Sequence, residues 1–256
     1  MFRRLRALVG YRIAGTDGEF GRVDDFYFDE RDWRVRYLVV DTGSWLPGRE
    51  VLVAPGEMGR PDADRSVVPV GLTQEQIEKS PPVQSDMPIS RQQELELARY
   101  YHWATEWDTG PLSRSVGRSV AWETPEGERA KHEDQRRSHL RSVEEIAGYH
   151  IQAAGGEIGK VDDVLADPQS WMIRYVVVDT GGWLSDRLVL LAPEWIQKVS
   201  WAHQQLVTDL SREKIETCPE HKAQQIVDRE EERRLHEHFG RTPYWELEER
   251  GTGAKP

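Results

Sequence analysis

The chain has 256 residues, a formal net charge of −11, a pI near 5.3 and one cysteine. At roughly 100–150 residues per domain, that length predicts about two domains, each with its own core. The acidic balance argues against a nucleic-acid partner, whose affinity rests on Lys and Arg displacing counterions, and Cys218 alone cannot form an internal disulfide and fits a reducing, cytoplasmic compartment.

Residues 1–10 carry Arg3, Arg4 and Arg6 around a short apolar stretch, which is neither a secretory signal nor an anchor. No other segment approaches the ~18 apolar residues of a membrane span. The arginines read as a solvated terminus, capable at most of weak contact with an anionic membrane surface. Arg12-Ile13-Ala14 predicts a short strand, ended by the turn Gly15-Thr16-Asp17-Gly18. Residues 20–28 are β-rich, and Gly21 within them marks a bulge or a close backbone approach. After the polar turn at 29–32, residues 33–40 alternate and then become continuously apolar, as in a strand that starts half exposed and finishes in a core. Asp41-Thr42-Gly43-Ser44-Trp45-Leu46 is turn-rich, and residues 49–55 form a strand that Pro55 ends, because proline cannot donate to a ladder. A weaker strand covers 66–70. Thr73 is placed to cap a helix, with Gln76 completing a capping box. A second helix over 91–101 sets Leu97 and Tyr101 on one face.

This pattern then recurs. Residues 10–55 align without gaps on 148–193, and 25 of the 46 positions are identical. The same offset continues through the capped helix to Trp107 over Trp245, so the unit is duplicated. The expected organisation is a first module with following helices over 1–107, a charged flexible linker over 108–147, a second module over 148–245 and a disordered tail over 246–256. Close-spaced short strands with tight turns predict two tandem, small antiparallel β-barrels, each followed by short helices, a mainly β class.

No catalytic set emerges. Asp24-Asp25 and Asp162-Asp163 are the most enzyme-like residues, but neighbours on a strand point to opposite faces, so the pair cannot converge unaided. The Asp-Thr-Gly triplets at 41–43 and 179–181 share letters with aspartic-protease loops, yet the same letters follow from turn chemistry. His236 and His238 diverge on a helix, and no zinc spacing, phosphate loop or nucleophile elbow is present, so no metal or cofactor is expected. The tryptophans are more telling. Trp45 and Trp183 sit in polar loops, where a large aromatic calls for a cover, and they are the leading interface candidates. Tyr101, Trp107, Phe239 and Trp245 form a second candidate aromatic set.

The arrangement Gly-Tyr, Gly-Glu-x-Gly-x-Val-Asp-Asp, Arg-Tyr-x-Val-Val-Asp-Thr-Gly and Val-Leu-x-Ala-Pro, with a capped Leu-Thr-x-Glu-x-Ile helix, resembles the PRC-barrel family. Members include the cytoplasmic domain of the photosynthetic reaction-centre H subunit and the final barrel of the ribosome maturation factor. The resemblance implies an assembly and docking module without chemistry of its own, and a non-enzymatic scaffold or adaptor role. The expected partners are proteins, through pairing of the two barrels or a homodimer. The alternative is a ligand-binding or catalytic protein with Asp24, Asp25, Asp162 and Asp163 in an acidic cleft.

Overall fold

The computed structural model describes residues 1–46, 50–81, 96, 97, 99–101, 140–181, 187–200, 202–222 and 225–246. They divide into two units: Leu8–Arg141, and Met1–Ala7 together with Ser142–Pro256. In chain order the strands are β1 (Arg3–Arg4), β2 (Arg12–Ala14), β3 (Glu19–Asp29), β4 (Arg34–Asp41), β5 (Glu50–Val53), β6 (Val67–Pro69) and β7 (Leu140–Ser142). They continue with β8 (His150–Ala154), β9 (Gly156–Ala166), β10 (Ile173–Asp179), β11 (Leu188–Leu191), β12 (Ile196–Ser200) and β13 (Gln205–Ser211). Among the described residues the α-helices with both ends defined are α1 (Gln74–Glu78), α2 (Val143–Ile146), α3 (Arg212–Glu216) and α4 (Arg229–Phe239).

The protein is mainly β, with one sheet per repeat. The first runs β5-β4-β3-β2-β6 and the second β11-β10-β9-β8-β13-β12. Neighbours are antiparallel except β2 with β6 and β8 with β13. Among the described residues no pairing joins the two ends of either sheet, so the predicted closure is absent from the observed ladders. After β5 and β11, Pro55 and Pro193 each open a single 3-10 turn that ends the strand; the first unit continues with bridges such as Met58 to Val70 and with β6 on β2, the second with β12 on β13.

The continuously apolar strand ends form the cores. Leu38, Val39 and Val40 of β4, and Val176, Val177 and Val178 of β10, are almost fully buried, each contributing on the order of 1.5–3 kcal/mol of burial. Gly21 and Gly159 mark close approaches: a Cβ there would lie 2.4 Å from the Asp41 carbonyl and 2.1 Å from that of Asp179. Thr73 caps α1 within a full capping box with Gln76. Beyond it, residues 96, 97 and 99–101 are helical, and Leu97 and Tyr101 pack on Tyr37, Val39 and Leu52. In the second unit Leu235 and Phe239 bury the same face of α4.

Two features depart from expectation. Trp33 and Trp171 sit in turns with φ of 56° and 55°, so the strands begin one or two residues later. Both indoles are buried, and Trp33 stacks on Phe28 at 5.1 Å, which holds a backbone conformation that L-residues otherwise avoid. Second, composition places 140–147 in the linker, yet these residues form β7 and α2. β7 pairs with β3 of the first repeat, while β1, at the start of the chain, pairs with β9 of the second. Each sheet is thus extended by a strand encoded just ahead of the other repeat. The remainder of that linker and the tail after 246 lie outside the described residues.

Candidate functional site

The paired aspartates are brought together by a β-bulge. Val161 opposes Val178 and Asp163 opposes Val177, so Asp162 is the extra residue; Val23, Asp24 and Asp25 repeat this against Val40 and Val39. A bulge breaks the strict alternation of faces, and in the second unit Arg4 therefore reaches both carboxylates, Asp162 and Asp163. As expected for neighbours on a strand, one carboxylate of each pair is buried against backbone amides and the other is more exposed; in the second unit Arg4 spans the two. Asp163, almost fully buried, also accepts from the backbone amides of Arg6 at 3.1 Å and Val164 at 2.7 Å. Burial pushes its carboxyl up, and these donors and Arg4 oppose the rise. Around it, Leu5 is fully buried with its amide on the Val164 carbonyl, Phe2 meets Tyr175 edge-on at 5.8 Å, and Arg6 forks onto Glu144. In the first unit Asp24 is exposed, whereas Asp25 is buried and accepts from the Phe26 amide.

A second cluster lies beneath α4 in the same unit. Glu232, Leu235, His236 and Phe239 recur at helical spacing and form its buried face. The capping box of Asp228 and Glu231 fixes where that face starts, and Gly240 at φ 66° ends it. The Tyr175 hydroxyl donates to Glu232 at 3.0 Å and lies 3.4 Å from His236 Nε2. His236 Nδ1 is buried without a hydrogen bond of ordinary geometry, and the Thr242 backbone lies close enough to the imidazole to favour its charged form. Burial holds the imidazole down to about 4, raises the Glu232 carboxyl and raises the Tyr175 phenol. Trp195 and Phe239 close the cluster on the apolar side, at 4.9 Å from each other.

Outward from the cluster, arginines and aromatics alternate. The Arg174 guanidinium lies 3.8 Å over the Tyr244 ring, and that of Arg229 lies 4.2 Å over Trp245. Arg229 also donates to the Tyr244 hydroxyl at 3.2 Å and pairs with Glu232 at 3.2 Å. Arg174, Tyr244 and Trp245 are half-buried and Arg229 is exposed. The ladder is held from inside and open to solvent outside.

Of the predicted aromatic candidates, Trp45 is half-buried with its ring 6.3 Å from Phe20 of its own unit. Tyr101 packs on its own core, and Phe239 is buried beside Trp195, so Phe239 is a core residue. Trp245 stands at the ladder's end, whereas Trp107 and Trp183 lie outside the described residues. The Asp-Thr-Gly triplets are turns: Asp41 and Asp179 each accept from the glycine amide two residues on, at 2.8 Å. Cys218 is buried, with its thiol pushed up to about 11. His238 binds the Lys214 carbonyl, and among the described residues no group of three His, Cys, Asp or Glu is arranged to hold a metal. None of their helices is long and apolar enough to cross a membrane.

Sequence reasoning missed Arg4, Arg6 and Glu144, although the repeat offset runs further back than Gly10 and sets Leu5 over Val143 and Leu8 over Ile146. It also missed Glu232 and His236, for which the signal was two polar residues on the apolar face of α4. The model of the PRC-barrel domain matches residues 1–71 and 143–210. No curated protein matches the chain.

Proposed function

Because the chain belongs to the PRC-barrel domain family, we propose that it is a tandem PRC-barrel protein serving as a non-enzymatic assembly or adaptor module. The observation that carries this reading is the ladder of Arg174, Tyr244, Arg229 and Trp245. Trp, Tyr and Arg are the residue types that dominate protein–protein binding energy, and here their rotamers are fixed in advance by cation–π stacking and by Glu232, which lowers the ordering cost of docking. The alternative acidic-cleft reading is weakened because Arg4 takes up Asp162 and Asp163.

The test is affinity capture from native lysate with the wild-type chain, a Tyr244→Ala/Trp245→Ala variant and a Trp45→Ala/Trp183→Ala variant, each shown to be folded. A protein retained by the wild type and lost with the ladder variant supports docking there. Equal recovery by all three removes both aromatic surfaces from the reading.

A further inference from the structure

In the second unit the first residues of the chain behave as a ligand. β1 contributes two residues of ladder, Arg3 to Ala166 and Arg4 to Leu165, so the side chains do most of the holding. They are dense: Phe2 on Tyr175, Arg4 on both bulge aspartates, Leu5 in the core and Arg6 on Glu144. Charge is complementary, with arginines on the segment and carboxylates on the receiving edge. The bulge at Asp162 is what aims two carboxylates at one guanidinium, which makes the edge selective for arginine at that position over any extended peptide.

The first repeat holds an equivalent segment at the same offset. There Leu140 packs on the Tyr37 cluster and Arg141 forks onto Glu30 at 2.6 and 2.7 Å. In both repeats the incoming strand is encoded in front of the other repeat. Reciprocal exchange of like elements between like modules is the intramolecular form of domain swapping. The chain leaves the slot at Ala7 and joins the other unit from Leu8, which is buried there, through Gly10, whose amide bonds the Val23 carbonyl.

We infer that the β9 edge is a strand-docking slot for an extended aromatic-Arg-Arg-Leu-Arg segment, and that a second copy of this chain supplies that segment when the chain's own is displaced. Within one chain the covalent connection makes docking intramolecular, with an effective concentration that a second chain has to match. Cis occupancy therefore dominates in dilute solution, and the trans form is reached by concentration or by loosening the terminus. The slot and the Arg174–Trp245 ladder share Tyr175, which Phe2 touches and which bonds Glu232; the slot substitutions at Leu5 and Arg4 and the capture substitutions at Tyr244 and Trp245 leave Tyr175 in place, so each experiment reads its own surface.

The test uses the full-length chain with Leu5→Asp, which empties the slot, and a fluorescent peptide of residues 1–7 as probe. If the variant's second unit proves unfolded by amide exchange, Arg4→Gln takes its place. Saturable one-to-one binding is expected, at least tenfold tighter than to the wild type, whose slot is filled, and at least tenfold weakened by Arg4→Glu in the peptide. In parallel, separately labelled wild-type chains are co-incubated at high concentration under mild destabilisation. Mixed dimers by energy transfer are expected there and absent for Leu5→Asp. A folded vacant-slot variant that ignores the peptide, binding indifferent to Arg4→Glu, or wild-type chains that never exchange would each overturn the inference.

Discussion

Acidification should destabilise the second unit through His236. Its imidazole is fully buried and held down to about 4, against about 6.5 in an unfolded chain. A group with a depressed folded pKa contributes stability that is present above the unfolded value and lost as pH falls, because the unfolded state takes up a proton the folded state refuses. Between about pH 7 and about pH 5 the loss works out at about 2 kcal/mol, approaching about 3 kcal/mol by pH 4. Asp163 and Glu232 act in the opposite sense: burial raises both carboxyls, so their contribution is present at low pH and lost as pH rises through their folded values. His221, also lowered by burial, acts in the same direction as His236. The discriminating quantity is therefore the difference between wild type and His236→Gln, in which the Asp163 and His221 contributions cancel; Glu232 shares the Tyr175 hydroxyl with His236, so the same difference is also taken in a Glu232→Gln background. Denaturant unfolding at several pH values, with Trp195 beside the imidazole as the fluorescent reporter, should give a wild-type curve steeper by about 2 kcal/mol over that interval. Parallel curves would refute the account of a buried neutral imidazole.

Leu5→Ala should cost about 2–5 kcal/mol, and hydrogen exchange should locate the loss at residues 150–211; equal loss at residues 12–41 would contradict the observed pairing of β1 with β9. Gly21→Ala and Gly159→Ala should each cost at least about 2 kcal/mol, because φ exceeds +140° and the new Cβ strikes a carbonyl. Gly56→Ala, which meets open space at an ordinary φ, should be neutral or stabilising by up to about 1 kcal/mol; thermal melts of the three variants check both statements. Cys218 should resist aromatic disulfide reagents in the native state and react at the rate of unfolding, since its thiol is buried and raised to about 11; rapid native labelling would show the site to be open.

Signals confined to neighbouring residues were legible in the sequence. Thr73 and Gln76 cap a helix, Gly21 and Gly159 admit a carbonyl, and the valine runs of β4 and β10 are core, because each property depends on a few adjacent side chains. The aspartate pairs were half legible: the alternation that buries one carboxylate of each pair could be read along the strand, and the register slip beside it could not, because it is set by the partner strand. Arg4 gave no sign of its role, because its partners lie 158 and 159 residues away and three arginines near a terminus look alike whether solvated or bound. The Tyr175–Glu232–His236 cluster was hidden similarly: Glu232 and His236 fall on the apolar face of α4, but their partner Tyr175, which supplies the buried hydroxyl between them, lies 57 and 61 residues away.

The crossed strands also set an order of events at the ribosome. Arg4 is made 159 residues before its acceptor Asp163, which at typical synthesis rates is a wait of roughly 8–30 seconds. The first repeat is likewise unfinished until Leu140 emerges to join β3. Neither sheet can be completed as its own residues leave the tunnel. Residues 2–6 must stay unengaged until β9 is made, and a nascent segment that meets a finished neighbour on the same message has its docking edge within reach.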